Sequence, residues 1–174
     1  MFLKQTLLLA ATVATCTATN AQTTFCEGVN TILADAPQDF RNIKGRMMES
    51  NMNATMWAST IKLQGSIGYR LVQSMGLFYE AAIFQTSDKE KIQPYYEEYK
   101  QKLADCLGPK GYKMTLQENV TAGLGDFKKV VLMKDIGEPK EGTTIKDLPP
   151  HATMEVLYNK DKGGFTVVIF LFQH

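Results

Sequence analysis

Apolar residues recur along this chain with two different periods. Between Thr24 and Gln38, Phe25, Val29, Ile32, Leu33 and Ala36 fall on one side of a 3.6-residue turn, which predicts a short amphipathic helix. Thr24 and Glu27 have the spacing of a capping box, in which each side can satisfy an unpaired N–H of the first turn. Pro37 cannot extend the helix and predicts its end. A second helix is predicted over 87–108, with a stripe of Ile92, Tyr96, Tyr99, Leu103, Cys106 and Leu107. Ser87 and Glu90 form its candidate capping box, and Gly108 suits the left-handed position beyond its last turn. Pro94 requires that the regular helix begin close to it, or that an earlier turn be kinked.

Elsewhere the period is two, the signature of half-buried strands. Trp57, Ser59, Ile61 and Leu63 alternate with Ala58, Thr60 and Lys62; Leu77, Tyr79, Ala81 and Ile83 alternate with Phe78, Glu80, Ala82 and Phe84. Tyr112, Met114 and Leu116 alternate with Lys113, Thr115 and Gln117. The stretch NKDKGG, 159–164, separates MEVLY from FTVVIFLF and reads as a hairpin turn. The paired lysines Lys128 and Lys129 read as a strand start.

The halves 22–86 and 87–174 follow one plan. Each opens with a helix, and RLVQSMGLFYEAAIF in the first matches EVLYNKDKGGFTVVIFLF in the second as strand, glycine-bearing turn and aromatic-led strand. WASTIKLQG corresponds in the same way to DFKKVVLMKDIG. The expected fold is α+β: two helices packed on one face of a mostly antiparallel seven- or eight-stranded sheet, a tandem helix-plus-four-strands duplication. That layout is similar to the arrangement in the β-lactamase inhibitory proteins. The likeness is one of architecture, without a shared motif, and implies no activity.

The first 21 residues stand outside this plan. Lys4 precedes an apolar run from Leu7 to Ala14, and Thr19 and Ala21 occupy the positions before an expected cleavage, the layout of a secretory signal peptide. VATC lacks the leucine and the small residue of a lipidation motif, so an exported soluble product is favoured over an anchor at Cys16. Cleavage would leave Gln22 first and 174 − 21 = 153 residues, enough for one domain with a real core. The mature chain would then carry 19 − 1 = 18 basic and 18 acidic residues. Such a balance has no long-range field to draw nucleic acid or an anionic membrane. FTVVIFLF has the length of a buried strand, and no stretch is long and apolar enough to form a transmembrane helix. Asn53 and Asn119 head N-x-T acceptors, which beside a bacterial-type leader read as chance matches.

Export changes the reading of the cysteines. Cys26 and Cys106 would remain in an oxidising compartment and are expected to pair. A redox or metal-binding pair would want a CxxC spacing, which is absent, and two buried thiols are the main competitor.

Candidate chemistry is thin. RMMESNMNATMW, 46–57, holds four methionines and the only tryptophan. Met48, Met52 and Met56 would stack on a helix face, and thioethers suit Cu(I). Ser50, Asn51 and Asn53 weaken a helix there, so the favoured reading is a loop or strand entry with methionine packing, and an exposed apolar patch ranks next. His151 and His174 have no partner at a suggestive spacing, and there is no HExxH, GxSxG or phosphate-binding loop. GLG, 123–125, reads as a turn, and Glu97 and Glu98 as solvent-facing charges. An irregular segment between Lys134 and His151 is either a recognition loop or a plain connection. The leading expectation is a non-catalytic envelope or secreted protein that binds a protein or a small molecule and needs no cofactor. Its contact surface would be the sheet face away from the helices together with the Lys134–His151 loop, with Trp57, Tyr95 and His151 as candidates. The alternatives are periplasmic Cu(I) binding through the methionines, and a hydrolase or isomerase whose site follows no familiar motif.

Overall fold

The computed structural model describes residues 24–119, 126–135, 137, 148–160 and 163–173. The leader, Gln22, the GLG stretch, most of the segment between Lys134 and His151, and His174 lie outside them. Helix α1 is Phe25–Asp35 and α2 is Ile92–Leu107. The strands are β1 (Lys44–Ser50), β2 (Thr55–Ser59), β3 (Gly68–Gln73), β4 (Leu77–Thr86), β5 (Tyr112–Gln117), β6 (Lys129–Lys134), β7 (His151–Asn159) and β8 (Gly164–Phe172). They form one antiparallel eight-stranded sheet in the order β1-β2-β3-β4-β8-β7-β6-β5. Each half therefore supplies a helix and four neighbouring strands, and the halves meet where β4 pairs with β8.

The α1 capping box forms: the Thr24 hydroxyl accepts from the Glu27 N–H and the Glu27 carboxylate accepts from the Thr24 N–H. Its apolar stripe is buried, and Pro37 lies in a 3-10 turn, Ala36–Gln38, directly after the helix. The chain then reverses through Asp39 and Phe40, both left-handed, with φ of 54° and 53°. This conformation is costly for a bulky residue. It persists here because Phe40 is fully buried and because the Asp35 carboxylate accepts from the backbone N–H groups of Asn42 and Ile43.

The second helix departs from its expected ends. Asp88, not Ser87, caps the first turn: its carboxylate accepts from the Glu90 N–H, opening a 3-10 turn at Lys89–Lys91. The α-helix starts at Ile92, so Pro94 falls in the first turn, where its missing N–H interrupts no helical bond. Gly108 stays right-handed (φ −54°), and after one more 3-10 turn Gly111 takes the left-handed role (φ 82°).

Both helices pack on the sheet face formed by Leu71, Tyr79, Ala81, Met154, Val167 and Ile169, among others. The Cys26–Cys106 disulfide joins α1 to α2 across 80 residues of sequence. The strand expected over 57–63 ends at Ser59. Beyond it, the Tyr79 hydroxyl accepts from the Leu63 N–H (3.1 Å) and donates to the Ile61 carbonyl (3.2 Å), pinning the connection beneath the helices. Gly65, at φ +84°, lets this connection pass α2, since a Cβ there would lie 1.9 Å from the Tyr99 hydroxyl. Phe84 is a further correction. A register shift between Ala82 and Phe84 inserts Ile83 as an extra residue, which turns Phe84 to the helix side, where it stacks on Tyr95.

Candidate functional site

In a strand, alternate residues point to opposite faces, so the positions between the core residues build a second face that neither helix covers. Along β4 these are Phe78, Glu80 and Ala82; along β8 they are Phe172, Phe170 and Val168, directly opposite in register. Phe78 meets Phe170 edge to face with ring centroids 5.7 Å apart, and Phe172 at 6.4 Å. The His151 ring lies 3.7 Å from Phe172, also edge to face. All three phenylalanines are half-buried. Val72, Val131, Thr153 and Val168 on this face are buried. Strand register sets Thr153 between Phe170 and Val131, and its hydroxyl has no hydrogen-bond partner among the described residues. A buried hydroxyl left unpaired is costly, and such groups are few in native proteins.

Charge flanks the aromatic centre. Arg70 pairs with Glu80 at 2.7 Å, while Lys129 and Glu155 approach to 3.8 Å. Past the Arg70–Glu80 pair the face opens into a shallow groove of about 490 Å³. Ala82, Thr166 and Val168 line it between the strands, with Leu157 and Lys160 beside them. The aromatic centre and the groove are continuous, because Glu80 lies opposite Phe170 and Ala82 opposite Val168. The face thus combines half-exposed aromatic rings, one paired arginine and a concavity, the composition of a contact surface.

The three residues singled out for binding do not share a surface. His151 belongs to the second face. Trp57 is on the helix side, packed against the core with the Lys44 ammonium 3.8 Å from its ring centre. Tyr95 stands on α2, stacked on Phe84 at 3.7 Å. The methionines are placed differently from either packing or helical stacking. Residues 46–57 make the β1–β2 hairpin, so Met48, Met52 and Met56 share no helix face. Met47, Met48 and Met52 are exposed, Met52 completely. Register also brings in Met75. Thr55 pairs with Gln73 and Gln73 with Leu77, so the β1–β2 and β3–β4 tips lie at the same end of the sheet, and Met75 is as exposed as Met52. Sequence spacing gave no hint of this neighbour, which comes from strand pairing alone.

Among the described residues no three His, Cys, Asp or Glu side chains gather as a metal site, and no helix is long and apolar enough to cross a membrane. Lys129 opens β6, as a strand start. A second concavity, about 390 Å³, is lined by Lys89, Glu90, Gln93, Asp126 and Phe127, with Lys89 bound to Asp126 at 2.8 Å. No protein-family model, no curated protein and no solved structure matches this chain.

Proposed function

We propose that this is an exported, non-catalytic binding protein whose helix-free sheet face meets a protein or small-molecule partner. One observation carries the reading: Phe78, Phe170 and Phe172 sit half-exposed at the middle of that face, continuous with the Arg70–Glu80 groove. Aromatic side chains at the centre of a patch with charges at its edge are the usual anchors of an interface. The Cys26–Cys106 disulfide supports export, because such bonds persist in oxidising compartments.

The test uses the mature exported protein as bait in envelope extract, beside a Phe78→Ser/Phe170→Ser variant and a Met52→Ser control. The reading expects wild type and the control to retain the same partner and the double variant to lose it. Equal retention by all three places the contact elsewhere. Export is checked by the mass of the secreted chain, which should begin at Gln22.

A second reading, Cu(I) binding, rests on the convergence of Met52 and Met75 at neighbouring hairpin tips with Met48 and Met56 close behind in the same hairpin. Neighbouring strands lie about 4.8 Å apart, so tips two strands apart are about 10 Å apart, a gap flexible thioethers can close. Cu(I) titration against a competing chelator tests it. Replacing all four methionines with leucine should abolish retention, and unchanged retention would remove the idea.

A further inference from the structure

The two edges of the sheet are built differently. β1 is irregular: its register with β2 shifts twice, between Lys44 and Met47 and between Met47 and Glu49. Such bulges twist an edge strand away from the template that another strand needs. β5, which occupies the same position in the second half, has none of this protection. All six of its residues pair with β6 in unbroken register, from Tyr112 opposite Lys134 to Gln117 opposite Lys129. It contains no proline, and its one charge, Lys113, is bound to Asp135. Among the described residues its outer backbone edge meets no other strand. Beside that edge, Leu116 is a large apolar side chain that is 55% exposed.

We propose that β5 is a docking edge for a second copy of this chain, with the two β5 strands pairing antiparallel about a twofold axis. Residues opposite each other in an antiparallel pair point to the same face, which restricts the possible registers. Placing the axis at Thr115 sets Thr115 opposite Thr115 of the second copy, Met114 opposite Leu116, and Lys113 opposite Gln117. Every pair is then compatible. The two Met114–Leu116 contacts cover the exposed Leu116 side chains on the helix side, the Thr115 hydroxyls face each other on the second face, and no like charges are opposed. A chain with 19 basic and 18 acidic residues adds no long-range repulsion between copies. The product is a continuous sixteen-stranded sheet with both helix layers on one side and both copies of the second face on the other. Five pairs per edge bury less than the roughly 1,200 Å² of a standard interface, so the dimer is weak, with Kd on the order of 100 μM.

Sedimentation velocity of the oxidised, mature protein up to about 1 mM tests this directly. Wild type should shift from monomer to dimer across that range. Thr115 is exposed, so Thr115→Lys and Thr115→Glu should each fold normally yet oppose two like charges at the axis, weakening association about tenfold. A one-to-one mixture of the two variants should associate again, to within about threefold of wild type, because the axis then holds an opposite pair. Recovery on mixing cannot come from a folding defect in either variant. A wild type that stays monomeric at the highest concentration overturns the proposal. So does a dimer that neither variant weakens, or a mixture no stronger than its components.

Discussion

Removing one oxygen, by Tyr79→Phe, should cost about 2 kcal/mol. The ring of Tyr79 is fully buried, and its hydroxyl bridges two backbone groups of the connection between β2 and β3. Without the oxygen, the buried Leu63 N–H loses its acceptor, at about 1–3 kcal/mol for an unsatisfied buried donor. The Ile61 carbonyl belongs to a part-exposed residue and can turn to water, adding at most about 1 kcal/mol. The phenyl ring keeps its packing, so no cavity contributes. Urea unfolding is the assay. With m on the order of 2 kcal/mol per molar, the midpoint should fall by about 1 M with m unchanged. Tyr95→Phe, which keeps the stack on Phe84 and alters a hydroxyl on the exposed side of α2, is the control and should shift by under about 0.5 kcal/mol. Hydrogen exchange at the Leu63 amide should accelerate in Tyr79→Phe alone. A midpoint equal to wild type, with Leu63 still protected, would refute the reasoning and mean that the connection is held by its packed side chains.

Burial raises the phenol pKa of Tyr79, Tyr96, Tyr99 and Tyr112, that of Tyr96 to about 12. Their folded values lie above the unfolded value near 10, so stability is intact below pH ~10 and is lost as pH rises through the folded values. Urea melts from pH 9 to 12 should show that decline, less steep in Tyr79→Phe by one group's share; a flat profile would contradict it. The Cys26–Cys106 bond closes a loop of 80 residues, which the chain-entropy relation converts to about 4.5 kcal/mol. Cys26→Ala/Cys106→Ala should lose most of that in urea unfolding, and a loss under about 1 kcal/mol would show that the helices hold each other unaided.

Both helices and three of the strands, β2, β4 and β5, follow from periodicity, because α1, α2, β4 and β5 each have one wet side. The helical faces are legible from Val29, Ile32, Tyr99 and Leu103, all buried as their spacing predicts. β1 escaped notice because Lys44–Ser50 has no buried residue to mark an inner side; its partner β2 selects its conformation. Phe84 was misplaced because a register shift cannot be seen in alternation; only pairing with β8 exposes it. The second face was illegible for a related reason. β8 is apolar on both sides, so FTVVIFLF has no parity, and nothing marks Phe170 and Phe172 as facing away from Ile169 and Leu171. The disulfide was accessible because the cysteine count and the expectation of export constrain it without geometry. The placement of Trp57 was not, because an isolated tryptophan reads the same whether it packs beneath a lysine or awaits a ligand.

The central position of β8 has a consequence for how the molecule comes into being. Residues 164–172 complete both the β4 and β7 ladders, so no earlier part of the chain can close the core by itself. Until that segment has been synthesised, the first four strands end in a raw hydrogen-bonding edge at β4, and the helix above them lacks half of its floor. Assembly is therefore delayed until β8 itself has been made. The long sequence separation between β4 and β8 slows the closing step further. A nascent chain of this design remains threadable for an extended interval, at the risk of capture through β4 by any other unfinished strand.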